Sequence, residues 1–375
     1  MRADTFAFLI HPLDVRRDVG RKYPALAHLP GWLIEFLSIF YPPVFISEVK
    51  GVQSRTNGRS LQGWFVACPL SARMMMTLPA AVVYRKIIQS GRMAERLGAR
   101  ILGLGAFTSV VGDGGVTIGG ALNIPVTTGN SYTVATSIQA VRHAARRVQI
   151  DLNETTVAVV GATGAIGSVC ALLMAPDVRR LILVGRRMQD LQSVAAQAIE
   201  AGAPYVETTT DINRIQQAEV VISVTSALKP LIHPQHLRAG AIVCDVARPR
   251  DVAHHVSLER PDVLVFEGGI VRAPGNVDFG FDFGFPPGMA YACMAETMAL
   301  ALEGRYEPYT LGKRLQLGQV AEIDRIARKH GFQLGGLRNF DRPLTEREVT
   351  TVASRRLAVL AADAATGGKN LPVTV

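Results

Sequence analysis

Three glycines between Val157 and Gly167 have a spacing that could bind a phosphate group. Gly161, Gly164 and Gly167 follow an apolar run that fits a buried parallel strand. In such a turn the first glycine lets the chain bend sharply, the second lets the backbone approach a pyrophosphate, and the third lets the next helix pack closely. The helix N-terminus then offers free N–H groups to the phosphates. The alternative is an ordinary tight turn, because G-x-x-G-x-x-G departs from G-x-G-x-x-G.

The next predicted strand, Leu181 to Val184, ends in Arg186 and Arg187 rather than in an acid. An acid at this point usually binds the ribose hydroxyl of NAD, whereas a guanidinium group fits the 2′-phosphate of NADP. The sequence therefore favours NADPH as cofactor, with solvated surface charge as the alternative for both arginines. The residues predicted to contact the cofactor are Gly161, Thr163, Gly164, Ala165, Ile166, Gly167, Arg186, Arg187 and Thr225.

Cys293 is the best candidate for a reactive side chain. It lies in a predicted helix from Met289 to Glu303, directly after a glycine-rich loop. A position near a helix N-terminus lowers the pKa of a thiol, and the thiolate is the nucleophilic form. The alternative is a small core residue, because a lone cysteine among alanines and methionines more often packs than reacts.

The other polar candidates give weaker signals. Four small polar residues at a strand end and a helix start either close turns or line a cleft; they are Thr108, Ser109, Thr128 and Asn130. The other cysteines, Cys68, Cys170 and Cys244, form no C-x-x-C pair, so neither a disulfide framework nor a zinc site is predicted. The eight histidines form no cluster with metal-ligand spacing.

The composition predicts a globular protein with more than one domain. The chain has 375 residues, of which 48% are hydrophobic and 19% charged, enough for two cores. The net charge is +9, but its basic runs are short and not interleaved with aromatic residues. An acidic protein partner or a phosphorylated substrate is therefore expected rather than a nucleic acid. The widely spaced cysteines and the absence of a secretory pattern favour a reducing cytoplasm.

The apolar segment from Trp32 to Ile46 needs a separate interpretation. Glu35, Pro42 and Pro43 interrupt it, and it is too short to span a bilayer. It could lie on a membrane surface, line an apolar pocket, or form an ordinary core helix with a loop. A peripheral membrane contact is therefore one expectation among three.

Alternating strand and helix patterns predict an α/β protein with two main domains. The predicted organisation is an N-terminal α/β substrate domain, a connecting helix, a Rossmann-like domain with a doubly wound parallel sheet that binds NADP, C-terminal helices carrying Cys293, and a variable, partly disordered tail. The corresponding ranges are 1–126, 127–149, 150–288, 289–340 and 341–375. Within the third range, residues 268–288 are predicted to form a long loop, because they are rich in Gly, Pro and Phe.

Several blocks, in the same order along residues 45–335, give the chain a resemblance to a known family. It resembles the long-chain acyl-[acyl-carrier-protein] reductases, which form aldehydes. The cysteine block and the Thr-Gly-Asn block are the most specific, whereas the glycine block alone is generic. The blocks are Leu104–Val111, Thr127–Thr133, Thr156–Ser168, Gly268–Val271, Ala290–Glu296 and Lys329–Phe332.

The resemblance implies a covalent reduction in which Cys293 accepts the acyl group from a thioester. NADPH would then deliver hydride, and a fatty aldehyde would leave. Ser109, Asn130 or backbone N–H groups would stabilise the oxyanion. Tyr132 stands where the family tends to have histidine, so a role in proton transfer would alter the pH behaviour. The implied partners are acyl carrier protein or coenzyme A as acyl carrier, and an enzyme that consumes the aldehyde.

Two other functions remain open from the sequence. The stretch from Asp245 to Arg250 resembles glutamyl-tRNA reductase and shikimate-dehydrogenase-type domains. One alternative is a shikimate-dehydrogenase-like, NADP-dependent dehydrogenase of a small polar substrate, which uses no covalent step. Such enzymes usually use a lysine–aspartate pair in the first domain, and neither Lys50 nor Lys86 lies in such a motif. A non-catalytic NADP-binding redox sensor would bind the cofactor without turnover.

Overall fold

The computed structural model describes residues 4–282, 284–339 and 342–365. The first part of the chain alternates strands and helices. Its elements are β1 Asp4–Ile10, α1 Val15–Lys22, α2 Gly31–Ser38, β2 Val44–Gln53, β3 Ser60–Ala67, α3 Ala72–Thr77, α4 Ala80–Arg96, β4 Leu102–Leu104, α5 Phe107–Val110, α6 Val116–Gly120, β5 Val126–Thr127 and α7 Asn130–Arg147.

The middle of the chain repeats a strand–helix pattern around the predicted glycine turn. Its elements are β6 Thr156–Val160, α8 Ala165–Met174, β7 Arg180–Val184, α9 Met188–Glu200, β8 Val206–Thr209, β9 Val220–Ser223, β10 Ile242–Asp245, α10 Val256–Glu259 and β11 Leu264–Glu267. The last part contains short strands and three helices. Its elements are β12 Ile270–Arg272, β13 Gly275–Asp278, β14 Met289–Tyr291, α11 Ala292–Glu303, α12 Leu317–His330, β15 Gln333–Leu334, β16 Arg338–Asn339, β17 Arg342–Pro343 and α13 Glu346–Ala365.

These elements form two compact units. Unit 1 comprises Met1–Ser137 and Gly269–Gly336, and unit 2 comprises Ile138–Gly268 and the chain from Leu337 onward. The predicted division differs, because it assigns 269–288 to the cofactor domain and treats 289–340 as separate helices. The structure instead places residues 269–336 in unit 1.

Unit 1 is built on a mixed six-stranded sheet in the order β13-β2-β3-β1-β4-β5. Its central strand β1 is buried over Thr5–Leu9 and pairs in parallel with β3 and β4. β5 continues the parallel part, whereas β2 and β13 add antiparallel strands at the other edge. The carboxyl ends of β4 and β5 therefore lie side by side, so the segments that follow them begin at the same edge of the sheet.

Unit 2 contains a parallel six-stranded sheet in the order β11-β10-β9-β6-β7-β8. Counted along the chain, this is the strand order 3-2-1-4-5-6 of a doubly wound dinucleotide-binding fold. All five residues of β6 are buried, as expected for a parallel sheet covered on both faces. The predicted Rossmann-like α/β fold is confirmed, although the sequence interpretation missed the edge strand β8.

Residues 268–288 do not form one long loop. β12 pairs with β14 and β15, and β13 pairs with β2. Gly275 and Gly51 both have positive φ, and a Cβ added to Gly275 would lie 2.2 Å from the Gly51 carbonyl oxygen. Such close strands need glycine, and three- or four-residue strands leave too little periodicity to recognise. Phe283 of the predicted loop lies outside the described residues.

The predicted tail contains a long helix, α13. Its start carries a capping box, in which the Glu348 carboxylate accepts from the Thr345 N–H at 2.8 Å and the Thr345 hydroxyl accepts from the Glu348 N–H at 3.3 Å. Val349 and Val352 are buried, so this helix contributes to the core of unit 2. Residues 341 and 366–375 of the predicted tail lie outside the described residues.

Candidate active site

Cys293 is the second residue of α11 and the least buried of the four cysteines. It is partly exposed and forms no disulfide, whereas the other three are buried. Burial raises the pKa of the Cys68 thiol to about 11 and that of Cys170 to about 12, and it also raises the pKa of Cys244 well above the ordinary value. These three thiols therefore stay protonated at neutral pH. Cys293 is therefore the most accessible of the four thiols, and its catalytic role stays a prediction.

The predicted helix begins three residues too early. Met289–Tyr291 form the strand β14, so α11 starts at Ala292 and Cys293 lies in its first turn. In that turn the backbone N–H groups have no intrahelical partner and carry the positive end of the helix dipole. A thiolate is favoured at such a position. The sequence could not reveal this boundary, because strand and helix share one continuous apolar stretch.

The backbone of Gly129 lies directly against Cys293. A Cβ added to Gly129 would come within 2.3 Å of the Cys293 Cα and 2.4 Å of its Cβ. Gly129 also has φ of +73°, a conformation that favours glycine. Residues 127–131, hereafter the Thr-Gly-Asn turn, therefore form one wall beside the thiol.

A buried carboxylate, Glu296, holds this turn in place. Its oxygens accept hydrogen bonds from the Tyr132 N–H at 2.9 Å, from the Thr310 hydroxyl at 2.8 Å and from the Thr127 hydroxyl. The amide of Gly129 also donates to it. Burial raises the pKa of Glu296, and these hydrogen bonds act in the opposite direction.

Glu296 and Cys293 lie three residues apart in α11, hence on the same side of the helix. The same face of α11 thus presents the thiol and anchors the turn against it. Glu296 belongs to the cysteine block of the sequence, but the sequence alone predicts no role for it. An acid that interrupts the apolar run Ala290–Leu302 is the signal that could have identified it.

The predicted oxyanion donors differ in their placement. Asn130 is partly exposed at the start of α7 and directly follows Gly129, which places it in the Thr-Gly-Asn turn. The Ser109 hydroxyl donates to the Ala106 carbonyl at 2.7 Å, so its hydrogen is used within its own turn. Asn130 is therefore the better placed of the two, and the role of Ser109 stays a prediction.

Ser109 belongs to a strained segment after β4. The sequence predicts a strand end here, but the chain turns at Ala106 with φ of +45° and enters the short helix α5. The Phe107 N–H donates to His11 Nε2 at 3.1 Å. Burial lowers the pKa of His11 to about 4, so its imidazole is neutral at pH 7 and can accept this bond. The strain marks this segment as a candidate functional region of unit 1.

Tyr132 acts on the site through its backbone. Its N–H donates to Glu296, while its ring is buried and meets Phe332 edge to face, with ring centroids 6.4 Å apart. Burial, together with the nearby Asp324, raises the pKa of the Tyr132 hydroxyl above the ordinary value. The phenol therefore stays protonated at neutral pH, and its role in proton transfer stays a prediction.

The glycine turn of unit 2 has the shape of a pyrophosphate cradle. Gly161 has φ of +83°, and a Cβ there would lie 2.4 Å from the Val224 carbonyl oxygen. Gly164 is the N-cap residue of α8, and no side chain caps the helix there. A Cβ added to Gly164 would meet only the Gly161 carbonyl oxygen, at 3.3 Å. A Cβ on Gly167 would lie 2.2 Å from that same oxygen. The helix start is thus open to a ligand, and the residues fit a dinucleotide.

The other predicted cofactor residues of this region lie either in the glycine turn or directly after β7. Thr163, Ala165 and Ile166 belong to the turn and the first residues of α8. Arg186 and Arg187 are exposed after β7, and Arg187 Nε lies 2.5 Å from Asp190 Oδ2. Arg186 is therefore the better candidate for a 2′-phosphate.

Thr225 is tied to a buried acid that the sequence interpretation missed. Its N–H donates to Asp251 at 2.8 Å, its hydroxyl donates to the same carboxylate, and the Ser223 hydroxyl adds a bond of 2.7 Å. Burial raises the pKa of Asp251. Because its hydroxyl donates to Asp251, Thr225 helps to fix the chain at the end of β9. Direct contact between Thr225 and a cofactor stays a prediction.

The fold of unit 2 agrees with a family model of known proteins. Residues 142–266 match the family model of shikimate / quinate 5-dehydrogenase, which covers most of unit 2. The nucleotide-binding domain of glutamyl-tRNA reductase from Thermoplasma volcanium is a similar solved structure, with 20% identity, a TM-score of 0.25 and coverage of 37% of this chain and 86% of that one.

Two curated proteins match across both units. Aminotransferase PigE of Serratia sp. (strain ATCC 39006) is 30% identical over 296 residues, which is 78% of this chain but 34% of that protein. The chain thus spans about a third of the length of that relative. The long-chain acyl-[acyl-carrier-protein] reductase of Synechococcus elongatus is 28% identical over 341 residues, 86% of this chain and 95% of that protein. The chain is thus similar to a reductase along most of its length.

Replacing Gly129 tests the contact between the Thr-Gly-Asn turn and Cys293. Gly129→Ala should lower the free energy of unfolding by about 2–4 kcal/mol, because the new Cβ clashes with the backbone of α11 and φ is positive. Urea unfolding followed by circular dichroism measures this loss. Gly318→Ala is the matched control, because a Cβ there would have no atom within 4 Å. Equal unfolding midpoints for the two variants would contradict the contact.

Proposed function

We propose that the protein is an oxidoreductase that reduces an acyl thioester to an aldehyde with NADPH through an acyl group carried on Cys293. The observation that carries this proposal is the partly exposed thiol in the first turn of α11, held against Gly129. The similarity to the Synechococcus elongatus reductase over both units supports the same chemistry.

The cofactor is NADP(H), which supplies a hydride when bound. The chain offers the open glycine turn at Gly161–Gly167 for the pyrophosphate. Arg186 supplies an exposed guanidinium group at the end of β7, where the 2′-phosphate of NADP is usually bound. Thr163, Ala165 and Ile166 place further backbone N–H groups at the start of α8.

The chemical work of the chain begins at the Cys293 sulfur. The thiolate attacks the thioester carbonyl carbon, a new C–S bond forms, and the bond to the carrier sulfur breaks. The carrier leaves as a thiol after it takes up a proton, and the acyl group stays on Cys293. After reduction at the same carbon, the C–S bond to Cys293 breaks, the aldehyde leaves and the thiolate is restored. The side chain of Asn130 and backbone N–H groups in the first turn of α11 are the proposed donors to the oxyanion.

The charge of the chain bears on the carrier. An acyl carrier protein has an acidic surface, and a chain with net charge +9 would attract it over long range. Coenzyme A, whose phosphates are also anionic, is the other proposed carrier. The aldehyde product is reactive, so an enzyme that consumes it is a proposed partner.

The match to the shikimate / quinate 5-dehydrogenase model favours a second candidate, a dehydrogenase of a small polar substrate. The match ends at residue 266 and so lies outside unit 1. It accounts for the dinucleotide-binding fold but not for Cys293 or the Thr-Gly-Asn turn. The thioester reductase is therefore the stronger proposal.

An acyl adduct on Cys293 tests the covalent step. The full chain is incubated with a long-chain acyl thioester in the absence of NADPH, and the intact mass should rise by one acyl group. The adduct should be absent in Cys293→Ala but present in Cys68→Ala, whose thiol is buried. Adding NADPH should remove the adduct and release aldehyde. Turnover by Cys293→Ala at the rate of the unmodified protein would overturn the proposal.

Selectivity between NADPH and NADH tests the role of Arg186. Arg186→Ala should raise the KM for NADPH by about tenfold or more, because a charge-assisted hydrogen bond is lost, with little change for NADH. Arg179→Ala is the matched control, since Arg179 is exposed just before the opposite end of the same strand. Steady-state kinetics with both cofactors measure the effect, and equal losses for the two would exclude a 2′-phosphate contact.

A further inference from the structure

The helix α2 of unit 1 and the turn that follows it expose large aromatic side chains to solvent. Trp32, Phe36 and Phe40 follow one another at intervals of four residues and are 68%, 55% and 72% exposed. The rings of Phe36 and Phe40 meet edge to face with centroids 5.6 Å apart. These three residues are hereafter the aromatic ridge. Their neighbours Leu37, Tyr41 and Phe45 are also exposed.

Trp32 and Phe36 lie on the outer side of α2, and Phe40 follows its end, because the inner side of the helix is already anchored. Ile34 and Glu35 are buried. The Glu35 carboxylate accepts from the Ser71 hydroxyl at 2.7 Å and forms an ion pair with Arg73. The helix therefore cannot rotate to bury the ridge without breaking these bonds. Exposed apolar side chains grouped in this way mark an interaction surface.

Cations flank the ridge on two sides. α1 carries Arg16, Arg17, Arg21 and Lys22, and a Cβ on Gly31 of α2 would lie 3.6 Å from Val15 of α1. Asp18 is the acidic residue of α1 and pairs with Arg17 and Arg21. The local balance on this helix therefore remains positive.

On the other side, a cavity of about 380 Å³ joins the ridge to α4. Its lining residues are Phe40, Pro42, Pro43, Lys86, Gln89, Arg92 and Arg96. Lys86 Nζ donates to the Tyr41 carbonyl at 2.8 Å, so this lysine links α4 to the segment that forms the opposite wall of the cavity. Arg92 and Arg96 are exposed, four residues apart on the same face of α4. The cavity thus combines apolar walls with two guanidinium groups, which suit a phosphate group with an attached apolar chain.

We propose that this surface docks on a bilayer containing anionic phospholipids. The aromatic ridge enters the interfacial layer, where aromatic side chains are favoured, while Arg92, Arg96 and the α1 cations face the headgroup phosphates. Among the residues that the structure describes, no helix combines the length and the apolar composition of a membrane-spanning segment. An acidic carrier protein could form ion pairs with the basic residues. It would not account for the three exposed aromatic rings, so the lipid surface is the favoured partner.

Flotation with vesicles tests the proposal on the full chain. Protein is mixed with vesicles of phosphatidylcholine alone or with 30% phosphatidylglycerol, a composition of about one anionic lipid in three. It should float with the anionic vesicles, less at high salt, and little with the neutral ones. Trp32→Ala with Phe40→Ala should reduce partitioning at least about tenfold, because the buried apolar area is lost. Leu258→Ala, at another highly exposed apolar residue, should leave it unchanged.

The cations are tested separately with Arg92→Ala and Arg96→Ala. Each should weaken partitioning about fivefold, hence roughly 25-fold together, whereas the exposed Arg347→Ala should have little effect. The fluorescence of Trp32 should shift to shorter wavelength on anionic vesicles in a Trp64→Phe background, which leaves Trp32 as the single tryptophan. Circular dichroism confirms that each variant is folded.

Three results would overturn the proposal. One is no flotation with anionic vesicles, and another is equal partitioning to neutral vesicles. The third concerns the variants of the aromatic ridge. If they bind vesicles as well as the unmodified protein does but no longer bind an acidic acyl carrier protein, the surface belongs to that protein instead.

Discussion

The candidate active site depends on one buried carboxylate, that of Glu296. A carboxylate without partners in a protein interior is strongly disfavoured, so this acid is tolerated only because hydroxyl and amide groups surround it. Those groups come from Thr127, Gly129, Tyr132 and Thr310. The carboxylate thus joins three separate stretches of unit 1 at one point. Losing one such partner typically leaves an unsatisfied group that costs about 1–3 kcal/mol.

The consequence of this arrangement is a fixed distance between the Thr-Gly-Asn turn and Cys293. Because Glu296 follows Cys293 by one helical turn, the same helix that carries the thiol also positions its wall. Unit 2 contains the open glycine turn, whose backbone N–H groups suit the phosphates of a cofactor. Unit 1 therefore accounts for the acyl chemistry of the proposed reaction and unit 2 for the cofactor.

Much of unit 2 could be predicted from the sequence, because its signals are local. The buried strand β6, the glycine turn and α8 follow one another within twenty residues, and their residue types determine the structure of each. Unit 1 is harder to predict from the sequence, since its decisive contacts join residues that are far apart in the chain. Gly129 touches a residue 164 positions away, at Cys293, and the strand β13 pairs with β2 through glycines that no periodicity reveals. The predicted start of α11 is wrong because β14 and the helix share one apolar run.

Comparing two replacements of Glu296 tests most directly whether this carboxylate positions the site. The acylation rate of Cys293 by an acyl thioester is measured by intact mass in variants that circular dichroism shows to be folded. Glu296→Ala should lower the rate about 100-fold, because a displaced turn misaligns the reacting groups. Glu296→Gln should keep most of the rate, since its amide can still bond to the Tyr132 N–H and to the threonine hydroxyls. An unchanged rate in Glu296→Ala, or equal losses in both variants, would contradict the account.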